Sequence, residues 1–277
     1  MADYLKIQSE HQQIRVAMDQ SFPDDHILYL DNTWQYASVI EYQYHESIAT
    51  MPACVCDGMA KVLICGGGDG LAARELLRFN DVEIDLVEID KEMLRIYQNE
   101  EMLTKLNSNS LNDPRCNVIC DDAIKFVDGC SQGKYDMIIL DFPSPANENS
   151  GKKYLNLFSP NVTNKILVAL RDGGVLVSQT SIQTENLVSY IRNLCDKGFH
   201  SWNYDAFYIR RGAHDNFTVS SRCRIGPTYR PIPKACRYIT DEHVRCAFSD
   251  VTLVTEEEFE YYRLFEYQEE VEFELPN

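Results

Sequence analysis

The segment Cys65-Gly66-Gly67-Gly68-Asp69-Gly70 lies between an apolar tetrad, Val62-Leu63-Ile64-Cys65, and a stretch from Leu71 to Phe79 whose apolar residues recur at helical spacing. Glycines at such a strand-to-helix junction let the backbone turn tightly and approach a ligand closely, so Gly66 and Gly68 are candidate ligand contacts. About 20 residues on, Glu88-Ile89-Asp90 ends the next apolar strand, where Glu88 can accept hydrogen bonds from ribose hydroxyls. Asp69 inside the loop narrows the ligand. A carboxylate beside a bound phosphate is repelled, which disfavours a dinucleotide and suits a ligand carrying an ammonium or sulfonium. Asp121-Asp122 follows a third strand, at a height where a carboxylate can accept from an adenine amino group. Acids at these positions are also helix caps, the structural alternative. Together they point to a sulfonium nucleotide such as S-adenosylmethionine.

Positioning these residues requires alternating strands and helices. Strands are predicted at Val62–Cys65, Ile84–Val87, Asn117–Cys120, Met137–Leu140 and Val175–Gln179. Helices are predicted at Leu71–Phe79, Lys91–Asn99, Ala123–Val127, Asn161–Leu170 and Glu185–Lys197. The fold class is therefore α/β, a Rossmann-like domain on a mostly parallel sheet covered on both faces. Before it, Ile27–Leu30, the Asp31-Asn32 turn and an aromatic run from Trp34 to Tyr44 read as strands and a turn. Three regions follow: a β-rich segment over 1–55, a catalytic domain over 56–222 and an acidic C-terminal extension over 223–277, punctuated by Pro227, Pro231 and Pro233.

The bulk composition excludes several classes. The 277 residues carry a net charge of −17, which opposes binding of a nucleic-acid polymer through phosphate neutralisation. From Val251 to Asn277 there are nine Glu and one Arg, a solvated acidic tail. No apolar run approaches the roughly 20 residues that span a bilayer, and the polar start of the chain lacks a secretory core, so a cytoplasmic protein without membrane partners is expected. The ten cysteines show no metal-ligand spacing, so no metal is expected and the thiols are expected reduced. Cys65 and Cys120, in apolar runs, read as small core residues.

Taken in order along the chain, the motifs resemble the spermidine synthase (polyamine aminopropyltransferase) family. Leu28-x-Leu30-Asp31-x-x-x-Gln35 is similar to its L-x-L-D-G-x-x-Q, with Asn32 in place of glycine, and Glu41-Tyr42-x-Tyr44-His45-Glu46 is similar to its E-x-x-Y-H-E. The glycine loop followed by Arg74-Glu75, then Glu88-Ile89-Asp90, Asp113-Pro114-Arg115 and Tyr135-Asp136-x-Ile138-Ile139-x-Asp141 complete a series running from about Leu28 to Ser221. The resemblance implies a donor that is decarboxylated S-adenosylmethionine, or S-adenosylmethionine itself, used as co-substrate. It implies that Gln35 and Asp69 hold the donor tail, Glu88 the ribose and Asp122 the adenine, with Asp121 beside it. Asp141 and Tyr44 would orient and deprotonate an attacking amine, and a homo-oligomer is expected.

Two departures bear on the acceptor. The family's acidic motif D-S-S-D-P or D-x-P-D-P reads here Asp141-Phe142-Pro143-Ser144-Pro145, losing the second acid. The family's tyrosine in P-T-Y-P falls where this chain has Tyr208-Ile209-Arg210-Arg211. Guanidinium groups favour carboxylate or phosphate over a diamine. His45, Ser144, Arg210 and Arg211 are thus the candidate acceptor contacts. They tilt the expectation toward transfer of an aminopropyl or 3-amino-3-carboxypropyl group to a non-putrescine acceptor. In this the chain resembles the microcin C aminocarboxypropyl transferase branch of the family, which implies the phosphate of a peptidyl nucleotide as acceptor, in microcin C biosynthesis. The alternatives are a spermidine synthase using putrescine, a methyltransferase on the same scaffold and a non-catalytic binding subunit.

Overall fold

Alternating burial builds the N-terminal part of the chain. A computed structural model describes residues 2–18, 25–142, 156–180, 184–208, 213–223, 225 and 229–249. Strands β1 (Ala2–Gln8), β2 (Gln13–Met18), β3 (His26–Leu30) and β4 (Thr33–Ala37) form an antiparallel sheet in that order. Ile14, Val16 and Leu28 point into the core. The β3–β4 loop is the two residues Asp31 and Asn32, both at positive φ (48° and 64°), as the tight turn that matches strand twist requires. Asn32 tolerates the left-handed region, so the loss of glycine there leaves the turn intact.

The aromatic run does not continue as strand to Tyr44. It leaves β4 at Ala37 and becomes helical at Glu41. Glu41–His45 (α1), a wide turn over Glu46–Thr50 and Met51–Val55 (α2) follow one another directly. The reason is tertiary. Glu41 is fully buried and takes both terminal nitrogens of the Arg74 guanidinium at 2.9 Å each, which fixes the segment as a helix on the glycine-loop helix α3 (Leu71–Leu76).

The main sheet has seven strands in the order β10-β11-β9-β8-β5-β6-β7. Its parallel part comprises β5 (Lys61–Gly66), β6 (Glu83–Glu88), β7 (Cys116–Cys120), β8 (Tyr135–Asp141) and β9 (Leu170–Gln179). Neighbouring residues of these strands go to opposite faces. Val62, Ile64, Leu86, Met137, Ile139 and Val177 join one core, while Leu63, Cys65, Val87, Ile138, Leu140 and Leu176 join the other. A strand buried on both faces is continuously apolar, which is why the tetrad at 62–65 reads as it does. β10 (His200–Tyr208) and β11 (Ala213–Ser221) form an antiparallel hairpin added to β9, a pairing the sequence pattern did not reveal. Helices α4 (Lys91–Asn99), α5 (Glu101–Leu106) and α6 (Ala123–Asp128), then Pro160–Ala169 and Thr184–Cys195, cover the faces.

The described part of the C-terminal extension returns across the first core. Buried Glu46 accepts the backbone N–H groups of Arg237, Tyr238 and Ile239 at 2.8–2.9 Å. The helix Asp241–Ser249 packs Phe248 against Trp202 and Tyr204. All ten cysteines are free thiols. Cys65 is buried as expected, but Cys120 is exposed because it ends β7 at the open edge of the sheet. Glu46, Glu75 and Cys236 cluster closely enough to hold a metal ion, yet Arg74, Arg78 and the three backbone groups already engage the two carboxylates. No helix among the described residues is long and apolar enough to cross a membrane.

Candidate active site

The chain leaves β5 toward β6 and β7 on one side, then returns to β8 on the other. Ligands in open α/β sheets sit at the carboxyl ends of strands at such a reversal. The strand register brings the relevant residues level: Gly66 pairs with Asp141, and Glu88 with Cys120.

The glycine loop is packed too closely for side chains. A Cβ on Gly66 would lie 2.3 Å from the Asp141 carbonyl oxygen, and one on Gly68 would lie 2.6 Å from Glu88 Cγ. Behind the loop, Asn107 donates to the Asp69 carbonyl (2.9 Å) and Ser110 to the Gly70 carbonyl (2.6 Å). Asp69 Oδ1 accepts the Leu71 N–H at 2.9 Å, leaving Oδ2 directed toward His45 Nε2, 3.9 Å away. Glu88 accepts from Gly68 N–H (3.2 Å) and Asp90 N–H (2.8 Å), which ties the ends of β5 and β6 together. Loss of water around Glu88 pushes its carboxyl up to about 7 against those two bonds. Asp90 caps α4 and takes hydrogen bonds from Ser9 and Gln12 of the N-terminal sheet.

Opposite the loop stands the pair Tyr44 and Asp141. The Tyr44 hydroxyl donates to Asp141 Oδ1 at 2.6 Å, although 97 residues separate them in sequence. Burial and the charge of Asp69 push the Asp141 carboxyl up to about 6, against the opposing pull of His45 and Tyr44. His45 shares its Nδ1 with the Glu41 carboxylate at 2.8 Å and packs edge-on to Tyr44. Burial alone would lower its affinity for a proton. The Glu41 hydrogen bond and the charges of Asp69, Glu41 and Asp141 outweigh that, so His45 holds its proton more tightly than an ordinary histidine. The cleft thus sets an acidic wall against a hydrogen-bonded tyrosine, an arrangement suited to a cationic ligand whose proton must be removed.

A family model for the spermine/spermidine synthase domain matches residues 41–222. The chain belongs to the spermine/spermidine synthase family. Polyamine aminopropyltransferase 2 of Aquifex aeolicus is 33% identical over 184 residues, covering 65% of this chain and 36% of that protein. The polyamine aminopropyltransferase of Oceanobacillus iheyensis is 30% identical over 252 residues, covering 85% of this chain and 45% of that protein. The chain therefore spans less than half the length of these two relatives. The fold is shared with a crystal structure of spermidine synthase in complex with the transition-state analogue AdoDATO. That structure has a TM-score of 0.76 and 24% identity, with 93% of this chain and 88% of that one covered.

Against this family background, the structure brings Tyr44, His45, Gly66, Gly68, Asp69, Glu88 and Asp141 together at the carboxyl ends of β5, β6 and β8. Gln35 is half-buried on β4 and donates to the Thr33 carbonyl, with no hydrogen bond to Asp69 or Asp141. Asp122 caps α6 through the Ile124 N–H (2.8 Å), and Asp121 accepts the Asp122 N–H (2.7 Å). Each acid thus already has a local structural task at the rim. Ser144, Arg210 and Arg211 lie outside the described residues. Sequence reasoning missed Gln179, the last residue of β9. It is buried, and its Oε1 has no hydrogen-bond partner among the described residues, as expected of an acceptor waiting for a ligand N–H. A glutamine ending an apolar strand was the available signal.

Proposed function

We propose that this protein transfers an aminopropyl group from decarboxylated S-adenosylmethionine to a small-molecule amine. The observation that carries the reading is the Tyr44–Asp141 hydrogen bond facing Asp69 across the glycine loop. Gly66 and Gly68 give the donor close backbone approach, Glu88 receives the ribose hydroxyls, and Asp122 with Asp121 borders the adenine. Asp69 attracts the cationic tail, with Gln35 at the neighbouring sheet. In the transfer, the amine nitrogen uses its lone pair to form a bond to the carbon next to sulfur. The carbon–sulfur bond breaks with its electrons staying on sulfur, so a neutral thioether leaves and no acid is needed. The attacking amine must first lose a proton, and in this reading Asp141 takes it.

The raised Asp141 carboxyl bears on that step. An alkylammonium titrates near 10 and an ordinary aspartate near 4, a gap of about six pH units. Raising the base to about 6 closes about two of them, roughly 3 kcal/mol of proton-transfer cost.

Ser144, Arg210 and Arg211 favour an anionic acceptor and transfer of an aminocarboxypropyl group. The carboxylates of Asp69 and Asp141 at the cleft favour an amine, as does the family, and the amine reading is preferred. Incubation with either form of the donor, against putrescine and against a peptidyl nucleotide, separates the two by product mass. An aminopropylated amine is expected. Modification of the nucleotide phosphate alone would overturn the reading.

A further inference from the structure

The acceptor motif lacks its second acid at Ser144, yet β11 carries another acid, Asp215, toward the same edge of the sheet. β11 runs antiparallel to β9, with Phe217 opposite Gln179 at the end of that strand. The start of β11 therefore lies at the carboxyl edge of the parallel strands, where Asp141 ends β8. Side chains alternate along a strand. Phe217 faces Tyr44, with ring centroids 5.2 Å apart, and stacks on Tyr204. Asn216 points the other way and hydrogen-bonds Asp205 on the opposite face. Asp215, two residues before Phe217, is thus on the Tyr44 side and one pleat closer to the rim. Its partner across the hairpin is Ala206, a small, buried residue. The Asp215 charge is also felt at Asp141, helping to push that carboxyl up.

We infer that Asp215 is a specificity-determining residue: it supplies the second carboxylate of the acceptor site and holds the far ammonium of a diamine whose near nitrogen faces Asp141. The acid missing at position 144 is replaced from a strand about seventy residues further along the chain. The inference rests on the amine-acceptor reading above. It explains how a diamine keeps two counter-charges although the contiguous motif offers only one. Asp69 does not fill this role, because it belongs to the donor side of the glycine loop.

The test compares putrescine with n-butylamine, which carries the same attacking nitrogen and no second ammonium, using the full chain and saturating decarboxylated S-adenosylmethionine. For the wild type, kcat/KM is expected to favour putrescine. In D215N, the putrescine-to-butylamine ratio of kcat/KM is expected to fall at least tenfold, mainly through a raised putrescine KM, and D215E is expected to restore part of it. Thermal midpoints of the variants report whether the fold is retained. A ratio unchanged in D215N, or a D215N loss equal for both amines, overturns the role of Asp215 while leaving amine transfer standing. Turnover of neither amine by the wild type overturns the amine reading and this inference with it.

Discussion

Replacing Tyr44 with phenylalanine isolates the hydrogen bond on which the proposed chemistry depends. The hydroxyl donates to Asp141 Oδ1 at 2.6 Å and stabilises the ionised carboxylate. Hydrogen bonds to charged groups contribute about 1.5–3 kcal/mol. At about 1.4 kcal/mol per pH unit, losing this one raises the Asp141 titration by about one to two pH units from its starting value near 6. The sign follows from which form is stabilised: the tyrosine favours the charged form, so its removal favours the proton. The assay is kcat/KM for the amine against pH with donor saturating. Under that condition the acidic limb belongs to the enzyme–donor complex that meets the amine, since the free amine stays protonated below about pH 9. The limb should move up in Y44F, whatever happens to the plateau. A limb that stays in place, or one that survives unchanged in D141N, would refute the assignment of Asp141 as the titrating base.

Three further outcomes are expected. G68A forces a Cβ against Glu88 Cγ, 2.6 Å away, so donor affinity measured by calorimetry should fall at least tenfold; an unchanged affinity would remove the loop from the donor site. Because loss of water pushes Glu88 up to about 7, donor binding should weaken as pH falls through 7, with E88Q showing no such dependence. Burial pushes the Glu41 carboxyl up, but hydrogen bonds and charges from His45 and Arg74 prevail and hold it at about 2. Its contribution is therefore complete above about 4.5 and lost as pH falls toward 2. Urea denaturation should show about 3 kcal/mol less stability across that window, and E41Q, weaker at neutral pH, should show a flatter slope.

The parts of the fold that were legible share a local origin. The run Val62–Cys65 fills both faces of a buried strand, and α4 covers the residues its periodicity predicts, Lys91–Asn99. The run up to Tyr44 reads as strand and turn although the chain turns helical at Glu41, since aromatic residues fit either state and the deciding partner, Arg74, lies thirty-three residues away. The β10–β11 hairpin escaped for a related reason: Asp205, Asn216 and paired serines break its apolar alternation, and only pairing with β9 buries it.

The sequence by itself determined the glycine loop, the acids at the ends of β6, β7 and β8 and the family, because these depend on spacing within single strand–turn–helix units. Tertiary structure decided the rest of the site. It set Tyr44 against Asp141, directed His45 between Glu41 and Asp69, left Gln179 Oε1 without a partner among the described residues and brought Asp215 to the rim. It also pushed Asp141 and Glu88 above ordinary carboxylates. Such shifts come from lost water and from charges on distant strands, and neither exists until the sheet has assembled.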